Sequence, residues 1–239
     1  MAEVEQEVVL PQERAMVIVA HPDDAEFGAA GTVCGWTDRG VEVTYVICTD
    51  GSAGGVGDAS LAEMAELRQR EQRNAAAVVG VKEVIFLGYP DGYLDPSFAL
   101  RKELSRLIRV HRPEVVITHM PVRGFSPIGT NHPDHLAAGE AAYAAVYPQA
   151  RNPRAYPEFL AMGLEAHTVK EIWSAAPVDA DHFVDICATV ERKIEALLCH
   201  VSQMRDPGAM PRWITDRARA AGLKAGMEYA ESFKRVIAG

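Results

Sequence analysis

Short apolar runs alternate with longer segments of helical period along most of this chain. The runs AMVIVA, VEVTYVIC, KEVIFLG, EVVITHM and VKEIW are rich in β-branched residues, and a segment of helical length separates each run from the next. Short, mostly apolar runs of this composition predict buried strands. Their regular alternation with helices is typical of a parallel sheet covered by helices on both faces. The pattern therefore predicts an α/β fold.

Three helices stand out between and after these runs. The segment LAEMAELRQREQRNAAAVVG, residues 61–80, contains strong helix formers and ends in Gly80, which can adopt a left-handed cap. The segment PSFALRKELSRLIRVHRP is a second helix and is stopped by Pro113. We expect a last surface helix over residues 216–236, DRARAAGLKAGMEYAESFKRV. With five strands in the doubly wound order 3-2-1-4-5, the fold is predicted to be a Rossmann-like three-layer sandwich with a mostly parallel sheet.

Length and composition limit the organisation of the chain. With 239 residues and 48% hydrophobic content, the chain can bury a substantial core. We expect a single domain over residues 1–239, in which residues 1–13 form a flexible N-terminal extension. The acidic first residues lack an apolar signal core, and no later apolar run approaches the roughly 20 residues of a transmembrane helix. A cytoplasmic location is therefore expected.

Charge and cysteine usage narrow the classes of partner and site. The net charge of −9 and the pI of about 5.4 disfavour nucleic-acid binding, because no basic stripe is available to replace condensed counterions. A small soluble molecule is the expected partner. The four cysteines, Cys34, Cys48, Cys187 and Cys199, are widely spaced and show no C-x-x-C pair. We expect them to be reduced and buried.

Two histidine and aspartate motifs follow the first and fourth predicted strands. The first strand leads directly into His21-Pro-Asp-Asp24, and the loop after the fourth strand ends in NHPDH with His132 and His135. Ligands of open α/β sheets bind at the carboxyl ends of the strands, and the first and fourth strands are neighbours in the predicted order. We therefore expect His21, Asp24 and His135 to converge.

Such a cluster has the composition of a catalytic zinc site. Two imidazoles and one carboxylate give zinc three ligands and leave one position open, and other divalent transition metals are alternatives. Asp23 is then free to act as general base on a water. A protonated His132 could stabilise charge on a carbonyl oxygen, and Asp134 could orient one of the histidines. Each motif alone is more often a turn with an aspartate cap, so the metal interpretation depends on their joint placement.

The motifs AHPDDAE and NHPDH together resemble the PIG-L/LmbE family of zinc-dependent de-N-acetylases. TDGSAGG, ELRQREQRNAAAVVGVKEVIFLGYPDGYL and KIEALLCHVSQM also stand in the order and spacing of that family. One departure is Ala25, where many members have Glu directly after the second aspartate. The resemblance implies one zinc ion per chain bound by His21, Asp24 and His135, with Asp23 as the base and His132 as the acid that stabilises the oxyanion.

The same resemblance implies three substrate-binding residues. Arg68 resembles an arginine that binds sugar hydroxyls, Asp91 a carboxylate near the substrate, and His200 a residue of the pocket rim. Each has a structural alternative: Arg68 could pair with Glu71 or Gln72 on its own helix, Asp91 could form the turn before Gly92, and His200 could be a core histidine. The loops at 50–60, 120–131 and 147–168 are expected to select the substrate.

The function implied is removal of an acetyl group from an N-acetylglucosamine-type substrate by a metal-activated water. Alternatives are an amidase acting on a glycosyl-thiol conjugate or another amide, and a non-catalytic sugar-binding protein on the same fold. A dinucleotide-binding domain is disfavoured because no G-x-G-x-x-G follows the first strand. A serine hydrolase is disfavoured because GFSPIG around Ser126 departs from G-x-S-x-G. The resemblance and the Pro-rich segment 147–168 favour a homo-oligomer.

Overall fold

The computed structural model describes residues 10–11, 13–124, 131–175, 177 and 179–239. One seven-stranded sheet in the order β3-β2-β1-β4-β5-β7-β6 forms the centre of the fold. Its strands are β1 (Arg14–Val19), β2 (Glu42–Thr49), β3 (Glu83–Tyr89), β4 (Val115–Thr118), β5 (Glu171–Ala175), β6 (His182–Asp185) and β7 (Ala230–Ile237). Of the predicted N-terminal extension, residues 1–13, only a small part is described. Ser126 lies outside the described residues.

The first five strands are parallel and have the predicted order. Within β1, Val17 lies opposite Tyr45 of β2 on one side and opposite Ile117 of β4 on the other. β7 is antiparallel to both β5 and β6, which makes the sheet mixed at this edge. The strand order reverses between β1 and β4, because β2 and β3 are added on one side of β1 whereas β4 and β5 are added on the other. The loops after these two parallel strands therefore face each other.

Helices cover both faces of the sheet. They are α1 (Asp24–Thr37), α2 (Leu61–Val78), α3 (Phe98–His111), α4 (Pro133–Ala144), α5 (Pro157–Ala161), α6 (Val190–Leu198) and α7 (Met210–Leu223). Successive β1 residues enter different cores: Val17 packs with residues of α1 and α2, whereas Ile18 packs with residues of α3 and α4. Burial on both faces explains why the strands are continuous apolar runs with no polar alternation.

The prediction of a last helix over residues 216–236 is confirmed as far as Leu223 and is wrong beyond it. α7 ends at Leu223, Gly226 adopts a positive φ of 71°, and the chain returns as β7. Phe233 of β7 is fully buried and contacts Trp173 with 5.5 Å between ring centroids. Pairing with β5 and burial of this aromatic side chain outweigh the helix-forming tendency of AESFKRV, because β structure depends strongly on tertiary context.

The cysteines agree with the expectation only in part. All four thiols are free, and Cys34 and Cys48 are buried in the two faces of the core. Cys187 is exposed, which corrects the expected burial, because it lies in the turn between β6 and α6. Within the described residues, no helix combines the length and the apolar character that crossing a bilayer requires.

Candidate metal centre and active site

The loop between β1 and α1 sets the positions of two adjacent aspartates. Asp23 precedes α1 with a φ of +94°, a left-handed conformation that is costly for a residue with a Cβ. Asp24 is the first residue of α1, and its Oδ2 accepts the backbone N–H of His21 at 2.7 Å. The strained backbone therefore turns the two carboxylates in different directions and holds Asp24 beside His21.

Donor atoms of three residues, His21, Asp24 and His135, converge at one point, and both carboxylate oxygens of Asp24 take part. His21 Nδ1 lies 3.2 Å from His135 Nε2, and His135 Nε2 lies 3.2 Å from Asp24 Oδ1. The Asp24 Oδ2 atom is 3.4 Å from His21 Nδ1. Ligand atoms about 2.0–2.1 Å from a tetrahedral zinc ion are about 3.3 Å from one another. The spacing and the chemistry of this donor set therefore fit a zinc ion.

A second group that could hold a metal shares His21 and adds His132 and Asp134. The Asp134 carboxylate is completely buried and already accepts the backbone N–H groups of Gly92 at 2.7 Å and Leu94 at 3.2 Å. Its Oδ2 also lies 3.2 Å from His21 Nε2. Because these partners occupy its oxygens, Asp134 is better suited to orient His21 than to bind a metal.

Two carboxylates face the outer nitrogen of His21. Asp91 Oδ1 lies 3.1 Å and Asp134 Oδ2 3.2 Å from Nε2, so a proton on Nε2 leaves the Nδ1 lone pair free for the metal centre. Burial lowers the pKa of His21, but the carboxylates of Asp24 and Asp91 outweigh burial and raise it to about 10. The site thus stabilises a positive charge at this position.

Asp23 has the electrostatics of a general base. Burial, reinforced by the neighbouring Asp24 charge and opposed by Arg68, raises the pKa of Asp23 to about 7. Its backbone N–H donates to Gln72 Oε1 at 2.9 Å, and Arg68 donates to its carboxylate at 3.3 Å. A carboxylate whose pKa lies near neutrality can accept a proton and later return it.

His132 differs from the protonated imidazole that we expected. Its Nδ1 accepts the backbone N–H of Asp134 at 3.2 Å as the cap of α4, so the proton of the ring resides on Nε2. Burial and the neighbouring His21 lower the pKa of His132. The neutral ring is 41% exposed on its side-chain surface and can donate a hydrogen bond from Nε2.

Arg68 is only 3% exposed and bonds chiefly to the protein. Its guanidinium donates to the carbonyl oxygens of Gly51 at 2.8 Å and Pro22 at 2.6 Å, besides Asp23. Arg68 therefore joins the loops that follow β1 and β2 beneath Asp23. Its predicted contact with sugar hydroxyls stays a prediction.

His200 lies behind Asp23 and is 1% exposed, so it does not form the surface of a pocket rim. Its Nε2 lies 3.0 Å from Glu26 Oε2, and Gln72 Nε2 donates to Glu26 Oε1 at 2.9 Å. Gln72 in turn accepts the N–H of Asp23. This buried chain of polar contacts supports the backbone of Asp23 from below, and the predicted role of His200 in substrate binding stays a prediction.

Three residues of the site were missed in the sequence. His119 Nε2 lies 3.1 Å from Asp24 Oδ2, and its ring stacks on His135 with 4.2 Å between centroids. The feature of the sequence that could have indicated His119 was its position directly after β4, at the same edge of the sheet as His21. Glu26 and Gln72 occupy buried helix positions. For Glu26, the available signal was a carboxylate within the otherwise mostly apolar α1. Gln72 offered a weaker signal, because Arg68 and Glu71 are also buried on α2.

Comparison with known proteins places this site in a known class. Residues 16–146 match the PIG-L family, described as GlcNAc-PI de-N-acetylase. A diacetylchitobiose deacetylase of Thermococcus kodakarensis is 31% identical over 93% of this chain and 83% of its own. A probable N-acetyl-α-D-glucosaminyl L-malate deacetylase of Bacillus anthracis is 30% identical over 80% of this chain and 82% of its own.

A solved structure shows the same fold over nearly the whole chain. The N,N'-diacetylchitobiose deacetylase from Pyrococcus horikoshii superimposes with a TM-score of 0.87 at 30% identity, covering 95% of this chain and 84% of its own. The fold, the His/Asp cluster and these similarities define an enzyme that hydrolyses N-acetyl amide bonds. The chain belongs to the PIG-L family of de-N-acetylases.

Proposed function

We propose that this enzyme is a zinc-dependent deacetylase of N-acetylglucosamine-type sugars or conjugates. His21 Nδ1, Asp24 and His135 Nε2 would hold one zinc ion per chain. The mutual distances of 3.2, 3.2 and 3.4 Å between these donors are the observation that carries the proposal. Three protein donors, one fewer than a closed structural site uses, would leave a position for water or substrate, as in a catalytic site.

The chemistry divides among the metal and four side chains. Zinc, when bound, supplies the Lewis acidity that polarises the amide carbonyl and makes water acidic. Asp23 takes the proton of the attacking water and delivers it to the departing amine. The Nε2–H of His132 donates to the developing oxyanion, a role that its capped, neutral tautomer permits. Asp134 and Asp91 hold the His21 ring in orientation.

The sugar class comes from the relatives. The names of the similar proteins refer to diacetylchitobiose and to an N-acetylglucosaminyl malate. We assign an N-acetylated amino sugar to the side of the centre where Asp91 and Arg68 lie. Asp91 is 3.6 Å from Arg68 and accepts the Ala53 N–H at 3.1 Å, so polar groups converge there.

The experiment combines metal analysis with product detection. Purified protein should contain about one zinc ion and release acetate from N-acetylglucosamine or diacetylchitobiose, and a chelator should abolish the release. The His135→Ala variant should lose tight metal binding. His111→Ala is the matched control because this histidine, at the end of α3, contacts Thr44 and Glu83 on the other side of the fold.

The outcomes separate the alternatives. Full metal content in both His21→Ala and His135→Ala would refute the ligand assignment. Sugar binding without acetate release from any metal-loaded form would favour a sugar-binding protein. Release of an amine from a glycosyl-thiol conjugate, with no release of acetate, would favour the amidase. Replacement of zinc by iron or another divalent metal with higher activity would revise only the metal.

We also propose a homo-oligomer. Tyr147, Leu160 and Met162 expose apolar side chains within the segment 147–168 that the sequence singles out. Exposed apolar side chains grouped in one segment are suited to a contact between copies of the chain. Light scattering at micromolar concentration should give a multiple of the 26.0 kDa chain mass. A monomer mass would contradict the proposal.

A further inference from the structure

A cleft with a volume of about 430 Å³ opens beside the candidate metal centre. α1, the segment after β4, the end of β5 and α7 form its walls, and Asp24 and His135 are part of its lining. The volume lies within the range of about 300–1,000 Å³ that is typical of ligand pockets. A space this large would hold about fourteen waters at about 30 Å³ each, far more than an acetyl methyl group fills.

The cleft has an apolar surface. Phe27 of α1 and Trp213 of α7 meet edge to face with 5.9 Å between ring centroids, and they remain 36% and 45% exposed. The apolar lining includes Phe27, Gly28, Met120, Val122, Ala175 and Trp213. Exposed aromatic and aliphatic side chains around one opening provide the contact area that an apolar group of a ligand requires.

The charged residues at its edge have other partners. Arg123 donates to the Asn131 carbonyl at 3.4 Å, and Asp179 lies 3.3 Å from Lys234. The Arg217 guanidinium lies over the Trp213 ring at 4.7 Å from its centroid. These contacts give the charged groups of the lining partners within the protein, so the apolar remainder of the lining favours an apolar occupant.

The position of the cleft determines which half of the amide enters it. The amine half must face the groups that protonate it, and the polar side chains assigned to the sugar lie on that side. Within the described part of the chain, Asp23, His132, Arg68 and Asp91 do not line the cleft, whereas Asp24 and His135 do. A substrate with its carbonyl carbon beside Asp24 and His135 and its amine toward Asp23 would direct its acyl substituent toward Phe27 and Trp213.

We propose that this cleft is an acyl-binding subsite and that the enzyme accepts N-acyl groups longer than acetyl. The inference rests on the proposed hydrolysis. The oxygen of water bonds to the acyl carbon, the C–N bond breaks, and both protons of the water pass to the amine nitrogen, which leaves as an ammonium group. The fatty carboxylate remains in the cleft until it dissociates.

A series of acyl chains tests the subsite directly. N-acetyl-, N-butanoyl-, N-hexanoyl- and N-octanoylglucosamine are offered to the zinc-loaded enzyme, and the released glucosamine is quantified. Each methylene fully transferred from water to the cleft raises binding of the transition state by up to about fourfold. We expect kcat/KM for the hexanoyl sugar to exceed that for the acetyl sugar by about tenfold or more.

Substitutions in α7 assign the effect to the cleft. Trp213→Ala should lower the ratio of hexanoyl to acetyl kcat/KM by about tenfold, and Trp213→Phe should restore most of it. Leu223→Ala is the matched control, since this exposed residue on the same helix lies outside the cleft lining. It should leave the ratio unchanged.

Three outcomes would contradict either the acyl-binding subsite or the proposed function. A kcat/KM that falls with acyl length while acetyl is released normally would overturn the subsite and leave the proposed deacetylation intact. A rise in kcat/KM with the length of an alkyl aglycone, and not with the acyl chain, would assign the cleft to the aglycone and overturn the inference. No turnover of any N-acylglucosamine would refute the proposed function itself.

Discussion

Asp23 and Asp24 are neighbours in the chain, but the positive φ of Asp23 gives their carboxylates different surroundings. Asp24 faces His135 at 3.2 Å and the N–H of His21 at 2.7 Å. Asp23 instead faces Arg68, and burial raises its pKa to about 7. The adjacent carboxylates are therefore suited to metal binding and to proton transfer, respectively.

Asparagine substitutions should separate the two aspartates. Asp23→Asn keeps the shape of the side chain but cannot accept a proton, so deacetylation should fall by roughly 10²-fold or more while the zinc content stays normal. Asp24→Asn should weaken zinc retention, and excess zinc should restore part of its activity. Metal analysis and turnover of both variants check this. Equal zinc loss in both would show that the two carboxylates share ligation.

Gln72 supports Asp23 without belonging to the donor set. Its Oε1 accepts the Asp23 N–H, and its Nε2 donates to the buried Glu26. Gln72→Met keeps the length of the side chain but removes both contacts, which leaves the strained Asp23 backbone less restrained. We expect kcat to fall about tenfold at unchanged zinc content, measured beside Gln69→Met as control. A parallel loss of zinc would instead indicate a general collapse of the centre.

At the scale of elements, one buried arginine of α3 forms hydrogen bonds to the Pro-rich segment 147–168. Arg109 donates to the carbonyl oxygens of Ala150 at 3.1 Å, Asn152 at 2.8 Å and Ala155 at 3.0 Å, among others. A guanidinium offers five N–H donors in a fixed geometry and so can satisfy several carbonyl groups of an irregular segment. The long connection after α4 is thus ordered by α3.

Replacing this arginine should destabilise the fold. Arg109→Met removes all the charged hydrogen bonds that the guanidinium donates to this segment, and we expect the free energy of unfolding to fall by about 3 kcal/mol. The matched control is Arg106→Met, one turn earlier, whose partly exposed pair with Glu103 should contribute less than about 1 kcal/mol. Urea denaturation of both variants measures the difference, and equal losses would contradict the assigned role.

At the β6 edge of the sheet, His182 is held neutral. Its ring packs on Trp173 with 4.4 Å between centroids, and its Nε2 has no hydrogen-bond partner among the described residues. Burial and the nearby Arg235 lower the pKa of His182. The unfolded chain therefore binds a proton near pH 6.5, whereas the folded protein binds it only at lower pH.

This difference predicts a pH-dependent loss of stability. The contribution is fully present above the unfolded pKa and is lost as the pH falls from about 6.5 toward the lowered folded pKa. His182→Phe cannot take the proton, so its free energy of unfolding should decline less than that of the parent between about pH 7 and pH 5. Denaturation at several pH values measures both slopes, and identical slopes would refute the prediction.

At the scale of the whole molecule, the proposed metal joins parts of the chain that are distant in sequence. His21 and Asp24 flank the start of α1, and His135 belongs to α4. A ligand that binds only the folded state stabilises it by about 2.7 kcal/mol at a hundredfold excess over its Kd. The entire fold, and not only the site, should therefore respond to zinc.

Thermal unfolding measures this response. Zinc should raise the Tm of metal-free protein by about 5–10 °C, and a chelator should reverse the shift. His135→Ala should show little or no shift, because it lacks one of the three donors. The same increase in His135→Ala as in the parent would place the stabilising ion elsewhere.

The parallel arrangement of the first five strands followed from the alternation of apolar runs and helical segments, because a parallel sheet requires helical crossovers, and their order is that of the common doubly wound arrangement. β7 could not be predicted in the same way. The segment that forms it has helix-compatible composition, and only the open edge of β5 and the space beside Trp173 select the strand. The same limit applies to His119, Glu26 and Gln72, whose importance depends on neighbours that are distant in sequence.

Local periodicity in the sequence predicted the fold class, strand adjacency predicted that the motifs after β1 and β4 meet, and the resemblance of those motifs to a known family implied the family. Only the tertiary structure decided the tautomer of His132, the burial of Arg68 and His200, and the apolar cleft beside Asp24. Each of these depends on which atoms from separate elements meet within a few ångströms. Hydrogen-bond partners and cavity walls arise from packing in three dimensions, and residue identity along the chain does not encode them locally.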